Sequence, residues 1–537
     1  MNTKKPFLVT CAFPYSNGDI HIGHLLEHIQ ADIWVRYHRM QGRSVFFICA
    51  DDTHGTPIMI KANNMKKTPE ELISITLKKH ILDFSRFKIS YDNYYHTNSK
   101  ENLYFSNKIY LLLKKNGYIN KKKIFQLYDN SKKIFLPDRF VKGQCPNCFA
   151  KDQYGDNCEK CSFIYDAIDL IKPKSLLSKS SPVLKESLHI FFNLPRFQKF
   201  LWIWIHSGVL SNSVKNKLIE WFKHGLKEWD ISRDFPYFGF KIPNYLNKYF
   251  YVWLDASIGY ISTFKNLCNH NKNINFNDFW KSSKNTNLYH FIGKDIIYFH
   301  SLFWPSILEG INFRKPTKIF VHGYVTINNK KMSKSKNFFI TAEKWLKNYD
   351  SDSLRYYFSS KLNNSFEDID FNLREFVNKI NSDIVNKLVN LASRCSSFIN
   401  KNFDNYLSKE LLDFEIYKSF LKESLYISKL FESLNFKLLI KRIMLFAEKA
   451  NLYFNSKTPW LLCKNEFRII HSVSSMGINL FRILMTWMKP IIPDLSLKVE
   501  EFLNIKLKWE DIKNPLFNHK ISNFKNLYNR IKYKKIF

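Results

Sequence analysis

Phe7-Leu8-Val9-Thr10-Cys11-Ala12-Phe13, then Pro14-Tyr15-Ser16-Asn17-Gly18, then His21-Ile22-Gly23-His24 is the stretch on which the fold turns. The first run is apolar almost throughout and predicts a buried strand. The next five residues are turn formers. From Ile22 onward Leu25, Leu26, Ile29 and Ile33 recur at helical spacing, and Gly42 follows the run. His21 and His24 therefore sit at the start of a helix that leaves a strand. Free backbone N–H groups and the helix dipole favour phosphate at such a place.

The pattern extends outward from there. Ser44 to Ala50 reads as a second buried strand ending in Asp51-Asp52. Thr68-Pro69-Glu70-Glu71 opens another helix, with Thr68 as N-cap, Pro69 at the first helical position and Glu71 closing a capping box. Strand–helix alternation over residues 1–116 implies an α/β fold with a parallel, doubly wound sheet. Residues 117–231 break the alternation with short, lysine-rich segments and read as an insertion. The alternation resumes over 232–325, where Asn287 to Ile292 and Lys318 to His322 look like sheet strands. A small unit over 326–382 carries Lys331-Met332-Ser333-Lys334-Ser335, placed on a loop after a strand beside Asn328-Asn329. Beyond about 383 long helical periodicities run to about 490 and predict an all-α bundle, assigned to 383–537, though the last thirty or so residues carry no clear signal.

Lys331 and Lys334, with His21 and His24, can surround the β,γ-phosphates of ATP. There they would stabilise the charge that builds as pyrophosphate leaves. Lysines on a loop can close in during reaction. Asp52, at the carboxyl edge of the sheet where ligands of such folds bind, suits a substrate ammonium. Trp253, Tyr260 and His300 offer an aromatic-walled pocket. Asn386, Asn390 and Arg394 recur every four residues, so they share a helix face, and such groups can read base edges of unpaired nucleotides. Trp460, after Thr458-Pro459, can stack a base.

The formal charge is +35, from 82 basic and 47 acidic residues among 537. Two readings stand: a polyanionic partner, or a composition crowded with Lys, Asn, Ile, Phe and Tyr as AT-rich codons would produce. No uninterrupted apolar run reaches the length of a membrane span, and the apolar run after Lys5 lacks a small-residue cleavage site. A cytoplasmic location with no membrane partner is expected. The nine cysteines include five scattered ones and the pairs Cys145-Pro146-Asn147-Cys148 and Cys158-Glu159-Lys160-Cys161. Two such pairs can close a thiolate cage around zinc, with Gly155 easing a tight intervening loop. All four positions would be filled, so one structural Zn2+ per chain is expected.

The histidine and lysine motifs together resemble the signatures of class I aminoacyl-tRNA synthetases. Longer runs resemble the bacterial methionyl-tRNA synthetase family: Thr10-Cys-Ala-Phe-Pro-Tyr15, Asp51-Asp-Thr-His-Gly-Thr-Pro57, Tyr251-Val-Trp-Leu-Asp-Ala256, Phe291-Ile-Gly-Lys-Asp295 and Val321-His-Gly-Tyr-Val325. This resemblance implies a Rossmann-type catalytic domain with a zinc-knuckle insertion, followed by an α-helical anticodon-binding bundle. It implies methionine activation with Mg2+-ATP and transfer to tRNA(Met), elongator and initiator. It places Ala12, Phe13, Tyr15, Asp52, Trp253, Tyr260 and His300 around methionine. His21, His24, Arg233, Lys294, Asp295, Lys331 and Lys334 would engage ATP. Asn386, Asn390, Arg394, Pro459 and Trp460 would read the anticodon. Ser257 stands where the family more often has Pro, Phe13 where Leu is usual, and Lys336-Asn337 where Arg-Gly is usual. Residues 117–231 are too short for the editing insertion of the leucine, isoleucine and valine enzymes. Many relatives continue into a dimerising domain; with the sequence ending at Phe537, a monomer is expected.

Overall fold

The computed structural model describes residues 4–155, 158, 160–161, 163, 165–223, 225–281, 285–332, 339–461 and 466–536. Phe7–Cys11 forms β1, buried at every position, as a strand covered on both faces must be. It pairs in parallel with β2 (Val45–Asp51) on one side and with Asn287–Gly293 on the other. β3 (Asn93–His96) and Lys318–His322 add in parallel at the two edges. The chain thus builds outward from β1 in one direction and returns to build in the other. That reversal puts a crevice beyond the carboxyl ends of β1 and Asn287–Gly293, where doubly wound sheets bind ligands.

The helix α1 spans Ile22–Met40 and is buried along most of its length. The Thr68 cap forms as expected: Glu71 N–H donates to Thr68 Oγ1 at 3.2 Å, and Thr68 N–H donates to the Glu71 carboxylate at 2.8 Å. In the region read as an insertion, β4 (Ile119–Asp129) pairs antiparallel with Val183–Phe192. A second small sheet, Gln153–Tyr154, Val141–Gln144 and Ile171–Ser175, supports the cysteine pairs on its own apolar core.

After the parallel sheet, Val325–Ile327 turns back on Lys330–Lys331 through Asn328 and Asn329, both at positive φ (49° and 61°). That is the pair of left-handed conformations a tight hairpin turn needs, and asparagine tolerates them. Lys331 is therefore the last residue of a two-residue return strand, against the expectation of a loop.

Ile369–Phe371 adds to this hairpin in parallel, and beyond it the chain is mainly helical, but one continuous run changes pitch. Leu373–Lys379 and Asn390–Asn402 are α-helical, while Ile380–Val389 between them is π-helical. Phe467–Met488 alone among the described residues is long and apolar enough to cross a membrane; 89% of its apolar window is buried inside the fold, as a core helix requires. Helices end at Leu503 apart from a single turn at Asp511–Lys513, so the expectation of an all-α region to residue 537 fails for its last part. That part is an extended strap. Tyr349 Oη accepts from Lys534 N–H at 2.9 Å, Asn381 pairs with the Ile531 backbone, and Ile536 is buried. Its hydrogen bonds go to distant side chains, and no local periodicity records them.

Arg355, wholly buried, joins the two halves of the molecule. It donates to Asp32 of α1 at 2.7 Å and to the Pro490, Ile491 and Phe87 carbonyls at 2.9, 2.8 and 3.2 Å.

Candidate active site

A cavity of about 640 Å3 opens at the crevice beyond β1 and Asn287–Gly293. Its wall brings together Ala12, Phe13 and Tyr15 from the end of β1, His21 and His24 from the start of α1, and Asp295 after Gly293. Met332 and Phe339, the described residues on either side of the lysine motif, also line it. Lys334 and its neighbours 333–338 lie outside the described residues, as does the side chain of Lys331.

His21 caps α1. Its Nδ1 accepts from the N–H groups of Gly23 and His24 at 3.1 and 3.4 Å, while His24 Nδ1 accepts from His21 N–H at 3.3 Å. The two rings stack at 3.7 Å. Ile22 N–H donates to Ile340 O at 3.0 Å. The first-turn N–H groups are therefore engaged, contrary to the expectation that they stand free for phosphate. The imidazoles, not the backbone, are the groups this helix start presents to the cavity. The close fit also explains Gly23: a Cβ there would meet Met332 Cε at 2.9 Å and the His21 ring at 3.0 Å.

Behind Phe13 lies Tyr260, with ring centroids 4.5 Å apart. Gly259 makes this possible, since a Cβ there would meet the Phe13 ring at 2.5 Å. His300 Nδ1 donates to Ile296 O at 3.1 Å, which leaves Nε2 to accept from the Tyr260 hydroxyl at 2.8 Å. Burial lowers the His300 pKa to about 4, so the ring is neutral at physiological pH. Trp253 stands farther along, packed on Trp229 and Phe299 at 5.6 and 5.5 Å. Ser257 is buried, and its hydroxyl donates back to Leu254 O at 2.9 Å. It stays out of the cavity wall, so of the departures at Phe13 and Ser257 only Phe13 shapes the cavity.

Asp52 follows β2 and is bound to the cavity wall through its backbone: Asp52 N–H donates to Pro14 O at 2.9 Å, and Ser16 N–H to Asp52 O at 2.8 Å. Its buried Oδ1 has no hydrogen-bond partner among the described residues. Burial and the charge of Asp255 push the Asp52 carboxyl well above its ordinary pKa. An orphaned carboxylate oxygen at this edge is a receptor for a cationic group.

Two predicted ATP contacts are otherwise engaged. Lys294 pairs with Asp368 at 2.6 Å. Arg233 lies over the Tyr251 ring at 3.8 Å and pairs with Asp230 at 3.4 Å. Neither lines the cavity.

Residues without an assigned role appear in the wall: Glu27, His28, His322 and Gly323 to Val325. Glu27 stands one turn beyond His24 on the same helix, the only local signal it carries. Burial holds His28 neutral, with its pKa lowered to about 3.

Elsewhere, the Sγ atoms of Cys145, Cys148, Cys158 and Cys161 all lie within 4.8 Å of one another, with Cys145–Cys161 at 3.8 Å and Cys148–Cys158 at 3.5 Å. Tetrahedral zinc with Zn–S of about 2.3 Å requires S···S separations of about 3.8 Å, so the donor set fits. Cys148 N–H and Cys161 N–H point at the thiols of Cys145 and Cys158, 3.5 and 3.4 Å away. Gly155 is needed for close approach: a Cβ would meet Ala167 Cβ and Asp138 O, both at 2.8 Å.

In the helical region Arg394 lies over the Trp460 ring at 5.3 Å and donates to Asn455 at 2.6 Å. Trp460 is 49% exposed, so the core role that competes with base stacking does not hold. Pro459 is buried beside it, and Asn390 is exposed. Asn386 lies on the π-helical stretch, and it accepts from Arg530 of the strap at 2.7 Å.

A doubly wound sheet with paired histidines at its switch point defines a nucleotide-activating class, and a family model described as tRNA synthetases class I (M) matches residues 7–396. The methionine–tRNA ligase of Buchnera aphidicola subsp. Baizongia pistaciae is 60% identical over 535 residues, covering 99% of this chain and 98% of that protein. That of Buchnera aphidicola subsp. Acyrthosiphon pisum is 58% identical over the same length, with the same coverage of each. A solved structure of Mycobacterium tuberculosis methionyl-tRNA synthetase in complex with methionyl-adenylate shares the fold, with TM-score 0.80 at 21% identity, covering 98% of this chain and 100% of that one. The chain belongs to the class I aminoacyl-tRNA synthetases and, within them, to the methionine–tRNA ligase family.

Proposed function

We propose that the chain activates methionine with Mg2+-ATP and transfers it to tRNA(Met), elongator and initiator, in the cytoplasm. The observation that carries this reading is the single cavity that combines Ala12, Phe13 and Tyr15 with His21 and His24 at the switch point. Methionine lies against Phe13, Tyr15, Trp253, Tyr260 and His300, and its ammonium meets Asp52. Its carboxylate attacks the α-phosphorus, the bond from that phosphorus to the α,β-bridging oxygen breaks, and methionyl-adenylate and intact pyrophosphate result. His21, His24, Lys331 and Lys334 stabilise the charge gathering on the leaving pyrophosphate. Asp295 holds the nucleoside, while Arg233 and Lys294 reach ATP only after leaving Asp230 and Asp368. The terminal adenosine of the tRNA then takes the methionyl group on a ribose hydroxyl. Positioning and charge stabilisation carry the rate in both steps. Methionine-dependent ATP–pyrophosphate exchange tests the first step. Exchange driven equally by leucine, isoleucine, valine or cysteine overturns the reading.

Asn386, Asn390, Arg394, Pro459 and Trp460 form the anticodon contact in this reading, with Arg394 and Trp460 at its centre. Cys145, Cys148, Cys158 and Cys161 hold one structural zinc. Metal analysis should find about one equivalent, lost in Cys158→Ser together with order in the knuckle. Less than about half an equivalent, with all four thiols freely titratable, refutes the site. The acting unit is one chain; light scattering should give a mass near 64.2 kDa, and twice that value contradicts it.

A further inference from the structure

The Glu27 carboxylate meets three separate parts of the cavity wall. Glu27 is 6% exposed, on the second turn of the helix that starts with His21 and His24. Oε1 accepts the Ala12 N–H at 2.6 Å, at the end of β1. Oε2 lies 2.9 Å from His322 Nε2, at the end of Lys318–His322. His322 Nδ1 in turn donates to Gly323 O at 2.7 Å. Gly323 packs closely on the 367–368 backbone, where a Cβ would meet Glu367 O at 2.0 Å. One carboxylate thus fixes the histidine helix, the Ala12–Phe13 wall and the segment that leads through Val325–Ile327 to Lys331.

We infer that Glu27 and His322 are positioning residues for adenylate formation, setting the distance between the two walls of the cavity; the inference rests on the activity proposed above. Burial raises the Glu27 pKa, while the Glu27 hydrogen bond outweighs burial at His322 and raises its pKa too. The pair shares its protons, but its work is geometric. A glutamine at position 27 can keep that geometry: its carbonyl accepts the Ala12 N–H, and its amide donates to a neutral His322 Nε2.

The test compares Glu27→Ala, Glu27→Gln, His322→Ala and the double alanine variant by single-turnover adenylate formation, ATP KM and thermal melting. Glu27→Ala should lose about a hundredfold in rate, the scale of an ångström of misplacement, with ATP KM changed far less. Glu27→Gln should recover most of that loss. The double variant should be no slower than the slower single variant. If Glu27→Ala keeps the wild-type rate, the inference is wrong. If Glu27→Gln is as slow as Glu27→Ala at equal melting temperature, charge rather than position matters, and the inference is also wrong. Should the single alanines unfold, the glutamine comparison alone decides. Absence of methionine-dependent exchange in the wild type would instead overturn the proposed activity.

Discussion

At the scale of single residues, the chemistry rests on side chains whose neighbours fix both orientation and charge. His21 spends its Nδ1 on the α1 cap, and the stacked imidazole pair lines the cavity, where the proposed function sets it against phosphate. His24→Ala should slow adenylate formation about a hundredfold, about 3 kcal/mol, and leave methionine binding nearly intact. A wild-type burst of adenylate in that variant would refute the role. His300 carries a different signature. Its folded pKa of about 4 lies below the unfolded value, so the unfolded chain takes the proton first. Its contribution is full above about pH 6.5 and is lost as pH falls towards 4, by about 3 kcal/mol. His300→Gln should flatten melting temperature against pH in that window; an unchanged slope contradicts the assignment. The histidine motif and the cysteine pairs stand out in the sequence because a phosphate site at a helix start and a thiolate cage each call for one residue type at one spacing. Glu27 and His322 do not, because their meeting depends on sheet order that brings residues 27 and 322 within 2.9 Å.

At the scale of elements, local pattern and tertiary packing part company in identifiable places. β1, β2 and the strands at 287–293 and 318–322 formed where the apolar runs stand, because buried parallel strands write themselves as such runs. The π-helical stretch Ile380–Val389 has no signal in helical periodicity, and Asn386 on it is engaged by Arg530 of the strap. What the structure retains is Arg394 over Trp460. Stacking a base on an aromatic ring is worth about 1–3 kcal/mol. Trp460→Ala should therefore abolish or sharply reduce charging while exchange and melting temperature hold. Parallel loss of exchange and charging, or undiminished charging, would refute the anticodon role.

At the scale of the whole molecule, the nucleotide cavity and the helical region are coupled through a buried ion pair. Arg355 links Asp32, in the helix that presents His21 and His24, to the carbonyls at Pro490 and Ile491. Breaking such a pair from one side costs about 3–5 kcal/mol, because the other charge is left buried. Arg355→Ala should lower stability by that order in denaturant titration; a change under about 1 kcal/mol would show that Arg36 and Ser90 alone satisfy Asp32. The strap beyond Leu503 contributes to the same assembly through Tyr349 and Asn381, contacts that no local sequence pattern announces. The doubly wound core and its insertion were legible from alternating texture, whereas this long-range stitching was not. The central claim is that one cavity activates methionine and a distant helical surface selects the tRNA. Pyrophosphate exchange and tRNA charging, measured on the same preparation of wild type and Trp460→Ala, test it most directly. The account predicts methionine-dependent exchange in both proteins and charging only in the wild type; exchange that does not depend on methionine would contradict it.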